Sequence, residues 1–155
     1  MKFIKKINII IMIFTTLFIL TGCGKEKNIE GNLEDLMTKI YEGIPEEERP
    51  MMLTNVEVTA DTAEYYLGTN DIEYEEALAS EPEVTSIAHS VVLIRVKENA
   101  DVESIKTKIK ENVKPNKWLC TEAEEVAVEN RGNLIILVMS SSSNVDKIIT
   151  GFNNL

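Results

Sequence analysis

The chain predicts an α+β fold: one two-layer sandwich with a three- to four-stranded, mostly antiparallel sheet and helices packed on one face. Three observations carry this expectation. Apolar residues recur at helical spacing in three separated stretches, a long β-branched run occupies the middle, and a glycine turn joins two extended runs near the end.

In chain order, the first helix is written in Leu33, Leu36, Met37, Ile40, Tyr41 and Ile44, which share one helical face. Asn32 suits its start, with Asp35 three residues on, and Gly43 and Pro45 suit its end. "PEEERP", 45–50, reads as a charged loop, and "MMLTNVEVT" as a short extended piece. "DTAEYYLG", 61–68, reads as two helical turns capped by Asp61, answered by Glu64 and closed by Gly68. In "DIEYEEALASEP" residues 72–79 are read as a strand, because Ile72 and Tyr74 alternate with acids, although "EEALA" also suits a helix. "SIAHSVVLIRVK", 86–97, has the β-branched density of a central strand, its polar end emerging at Arg95.

"ADVESIKTKIKENV" is a further helix. Val102, Ile105, Ile109 and Val113 form its buried stripe, and Lys106, Lys108 and Lys110 follow Asp101 and Glu103, as the helix dipole favours. Strands 124–130 and 133–140 flank "NRGN", where Gly132 supplies the hairpin turn. The last helix presents Val145, Ile148, Ile149 and Phe152 inward, with Ser143 and Asp146 as an expected capping box.

The start of the chain speaks to location. Lys2, Lys5 and Lys6 precede an apolar run from Ile7 to Leu20. As a helix that run reaches about 21 Å, short of the roughly 30 Å bilayer core but suited to a secretory signal. "LTGC", 20–23, then resembles the lipobox of bacterial lipoproteins: an aliphatic residue, two small ones and a cysteine. The resemblance implies that the Cys23 thiol takes a diacylglyceryl group. It further implies that cleavage before Cys23 leaves a chain anchored to the cell membrane on its extracytoplasmic face. The organisation expected is a signal peptide over 1–22, a lipidated tether over 23–32 and a single domain over 33–155.

Charge is segregated. Residues 29–90 hold 16 Asp and Glu against Lys39 and Arg49, whereas residues 91–155 hold nine acids and nine bases. The acidic half argues against nucleic acid, whose phosphates it repels, and against lying flat on anionic lipid. With Cys23 lipidated, Cys120 has no intrachain partner, and in "KWLC" it reads as a small buried hydrophobe.

"AEYYLG", "SIAHSVVLIRVK", "KPNKWLC" and "NRGNLIILVMS", in this order behind a lipobox, resemble the bacterial lipoprotein family catalogued as domain of unknown function 4358. That resemblance implies a tethered extracytoplasmic domain, common in Gram-positive bacteria, with no catalytic residues to carry over.

Residue by residue, no catalytic, cofactor-binding or metal-binding set emerges. His89, the only histidine, reads as a strand histidine at a sheet edge or bonded inside, without ligand partners at metal spacing. "SSSN" from Ser140 lacks the G-x-S-x-G surround of a nucleophile and reads as a helix-capping loop. Asp71, Glu73, Glu75 and Glu76 lack the glycine of a calcium loop and read as a solvated face. Tyr65, Tyr66 and Trp118 form either a recognition patch or, by default, core. The expected function is therefore a non-enzymatic binding or accessory domain, meeting an envelope protein or a cation-bearing wall partner. The alternatives are a small enzyme working through carboxylates in 61–83, or a proteinaceous inhibitor.

Overall fold

The computed structural model describes residues 27–155; the leader and Cys23 lie outside the described residues. The elements run α1 (Leu33–Glu42), a 3₁₀ turn (Glu46–Glu48), β1 (Leu53–Glu57), α2 (Ala63–Leu67), β2 (Glu76–Pro82) and β3 (Ser90–Arg95). They continue through α3 (Val102–Asn112), β4 (Glu125–Arg131) and β5 (Leu134–Ser140) to α4 (Ser142–Asn153). The strands form one sheet ordered β1-β2-β3-β5-β4, antiparallel at every pairing.

The α+β class and the antiparallel sheet stand as expected, but with five strands, and helices cover both faces. Leu78, Val91, Leu93, Ile136 and Val138 pack on α1 and α4. Ala79, Val92, Ile94, Ile135 and Leu137, from the alternate positions, pack on α2 and α3. The reason lies in β3 and β5, where every residue is buried. A strand apolar at consecutive positions presents greasy side chains above and below the sheet, so one helical layer leaves the other face wet. At about 1.5–3 kcal/mol per buried Val, Leu or Ile, that face demands cover. The result is three layers rather than the expected two.

The extra strand is β1, within the segment read as a short extended piece; it lies at the sheet edge and pairs with β2. The strand expected at 72–79 begins at Glu76, leaving Ile72 and Tyr74 in the preceding coil, where they pack against the α2–α3 core. β4 and β5 close on a two-residue turn in which Gly132 takes φ 54°, as the hairpin signal required.

Caps hold the helices where their side chains can reach. Asn32 Oδ1 accepts from the Glu34 amide at 2.7 Å, and Asp101 Oδ1 from Ser104 at 3.0 Å. Two expected caps are replaced. Thr62, not Asp61, stands at the start of α2, and its Oγ1 accepts from the Thr59 amide at 2.9 Å. At α4 the Ser143–Asp146 box gives way to Glu124, whose carboxylate accepts from the Ser142 amide at 3.1 Å. Gly68 ends α2 in the left-handed region, φ 76°, and its missing side chain lets the α3 terminus at Asn112 and Val113 pass against it.

Arg95 does not emerge at the end of β3. Its guanidinium donates to the carbonyls of Ile29 and Gly31, the latter at 2.6 Å, and pairs with Glu76 at 2.7 Å. Residues 27–32, read as tether, are thereby held against the sheet, and the folded unit takes them in.

Candidate functional site

Part of the acidic half, strands β1 and β2, becomes one edge of the sheet, because these two are neighbours at the end of the strand order. At this edge the three aromatics singled out in the sequence do come together, and what gathers them is Lys117. Its ammonium lies 4.3 Å from the Tyr65 ring centre, 5.0 Å from Tyr66 and 5.2 Å from Trp118. It donates to a Glu81 carboxylate oxygen and, at 3.3 Å, to Ser90 Oγ. The lysine side chain is only 4% exposed and its Glu81 partner 13%.

Burial pulls the Lys117 pKa down, and the Glu81 carboxylate works against that. Tyr65 is pushed up to about 12, by partial burial first and then by the Glu81 charge. Tyr65 and Tyr66 meet edge to face at 4.9 Å, and the Tyr65 hydroxyl donates to Glu81 at 3.3 Å. The aromatic cage is thus filled by the protein's own ammonium, and it clamps the loop before β4 onto the sheet. Trp118 is buried, yet Tyr65 and Leu119 remain exposed beside it. Lys117 and Glu81 are the members that sequence reading missed. Their only signal is a lysine embedded in the apolar "KWLC" run, and a partner 36 residues away is invisible to local spacing.

Met52, Val56 and Val84 extend the exposed apolar surface along the same edge. Val56 pairs with Ala79, Thr54 with Glu81, and the Glu83 amide donates to Met52 O. Glu83 also accepts from Thr54 Oγ1 at 2.9 Å, so acids and apolar side chains interleave here.

The other singled-out residues are placed elsewhere. His89 is fully buried just before β3, bonded at 2.8 Å to Tyr41 on one nitrogen and at 2.8 Å to Ser140 on the other. A neutral imidazole has one donor and one acceptor and satisfies both. Ser140 is therefore consumed inside β5 and is no surface nucleophile. Cys120 is not the buried hydrophobe expected: it is exposed, at φ 64°, because Trp118 turns inward and the chain reverses behind it.

A cleft of about 570 Å³ is lined by Asp71, Glu73, Glu98 and Asp101 together with Lys97 and Lys108. Three of its four acids are occupied. Lys108 binds Asp71 at 2.8 Å and holds that carboxyl below its usual range, Lys97 stands 3.6 Å from Glu73, and Asp101 caps α3. A general acid needs the opposite perturbation. Among the described residues no group of three His, Cys, Asp or Glu converges as a metal would require, and no helix is long and apolar enough to cross a membrane.

No family model matches the chain, and neither the curated proteins nor the solved structures contain a match to it.

Proposed function

We propose that this chain is a lipid-anchored domain of the bacterial cell envelope, of the kind the family 4358 resemblance implies, whose acidic edge docks a basic or cation-bearing partner. It binds and does not catalyse. The observation that carries the reading is charge: 16 acids and two bases lie in residues 29–90, and that stretch supplies the β1–β2 edge. Although Glu48, Asp71, Glu73, Glu76 and Glu81 draw bases from the second half, Glu46, Glu47, Glu57 and Glu83 beside β1 draw none among the described residues. A field of one sign over one side of a molecule steers the opposite sign toward it and rejects its own. Exposed Met52, Val56 and Tyr65 among those acids add the apolar contact that a purely electrostatic encounter lacks. A carboxylate enzyme has weaker support, since the cleft's Asp71 and Glu73 are each engaged by lysine.

Crosslinking in intact cells, with mass spectrometry of the captured chains, tests this. The native protein is expected to capture a discrete basic partner that the Cys23→Ser variant, lacking the lipid, loses along with its membrane fraction. Capture of bulk membrane neighbours alone ends the reading.

A further inference from the structure

The two edges of the sheet are managed differently. β4 has a helix packed against it on each face, α3 and α4, whereas β1 has its main contact with β2 and is exposed from Thr54 to Glu57. An open strand edge is a template for another strand, and proteins commonly blunt it with lysine, proline or a bulge. "LTNVE" has no lysine and no proline, and its register to β2 runs unbroken.

That register settles which backbone groups are free. Val58 N–H donates to Ala77 O at 2.9 Å and Glu83 N–H to Met52 O at 3.0 Å. Antiparallel hydrogen-bonded pairs alternate, so Met52, Thr54, Val56 and Val58 turn their amides and carbonyls toward β2. Leu53, Asn55 and Glu57 turn theirs outward, and no other described group bonds them. The register agrees: Leu53 stands opposite Pro82, which has no N–H to give.

We infer that β1 accepts an extended segment of a basic partner as a sixth strand, one whose lysines or arginines alternate with apolar residues. This rests on the acidic-edge reading above and names how that edge is used. Charge and side-chain direction select the occupant. Asn55 and Glu57 point to the α1–α4 face, and the Glu46–Glu48 turn lies on that side too, since Glu48 pairs with Lys147 of α4. On the opposite face stand Val56 and Tyr65, both exposed, while Glu81 on that face is neutralised by Lys117 and Glu83 is held by Thr54 at the start of the strand. In an antiparallel addition, the incoming residues that bond Leu53, Asn55 and Glu57 share the acidic face and those between them meet Val56 and Tyr65. Basic side chains thus belong at the bonding positions and apolar ones between. A second copy of this chain is a poor occupant, because it brings its own Glu46, Glu47, Glu48 and Glu57 to an edge that is already acidic. The only Lys or Arg between residues 40 and 90, Arg49, is turned back to donate to Ile44 O.

The test uses the full chain in non-ionic detergent and a fluorescent eight-residue peptide of alternating Lys and Val. Two versions of equal charge are N-methylated, one at every Lys and one at every Val. The parent peptide is expected to bind and to slow hydrogen exchange at the amides of Leu53, Asn55 and Glu57. Methylation at Lys should weaken binding by roughly tenfold or more, because it deletes the bonding amides, while methylation at Val leaves it nearly unchanged. Equal binding by the two methylated peptides, with those three amides unprotected, overturns strand addition and leaves the acidic docking surface standing. Binding by none of the three overturns both. Pairing of the chain with itself through β1 overturns the choice of occupant.

Discussion

Lowering the pH from 8 to 5 should cost the domain about 2 kcal/mol of stability through His89. The ring is fully buried between Tyr41 and Ser140, and burial pushes its pKa from 6.5 down to about 4. A group whose folded pKa is depressed below its unfolded value binds protons more readily unfolded. For a histidine, stability is therefore complete above pH 6.5 and falls as the pH drops toward 4. The limiting loss is about 3.5 kcal/mol, each pKa unit being about 1.4 kcal/mol, and somewhat more than half of it, about 2 kcal/mol, is spent by pH 5. The chain has a single histidine, so the difference between the native chain and His89→Gln isolates its contribution. Urea unfolding followed by Trp118 fluorescence at pH 8, 7, 6 and 5 should show the midpoint falling for the native chain. In His89→Gln, whatever its baseline, the midpoint should fall less over the same range. Parallel curves for the two proteins, or a native chain that gains stability on acidification, would refute the assignment of a buried neutral ring.

Two further expectations come from the packing. Glu81→Gln leaves Lys117 buried without its counter-charge and should cost about 3–5 kcal/mol, whereas Lys117→Met combined with Glu81→Gln should recover much of the loss; urea midpoints of the two variants decide this. Gly151→Ala places a methyl 2.5 Å from Ile40 O, where α4 crosses α1. Overpacking against backbone should lower stability by about 1–3 kcal/mol, measured as a fall in Tm, while the hairpin-distant Gly43→Ala, whose added methyl meets nothing within 4 Å, should fall far less.

Much of the local structure was legible because it depends on neighbours within one turn or one pleat. The stripe Leu33, Leu36, Met37, Ile40 and Tyr41 is buried as its spacing requires, and Gly132 turns the hairpin where expected. The segregation of acids into residues 29–90 is likewise a property of sequence alone. Arg95 and Cys120 mark the limit. A charged residue ending a greasy strand reads as surface, yet carbonyls of Ile29 and Gly31, 66 and 64 residues away in sequence, pull it under. Cys120 follows a buried tryptophan, and only the reversal of the chain at that residue exposes it.

What the sequence determined by itself is periodicity, charge distribution and the lipobox resemblance at Cys23, since each is a statement about adjacent or near-adjacent residues. Tertiary structure decided how many layers enclose the sheet, that Tyr65, Tyr66 and Trp118 close around Lys117, and that β1 is left as the open edge. Those facts depend on which strands become neighbours. Strand order follows from long-range burial of two apolar faces, and no local pattern encodes it.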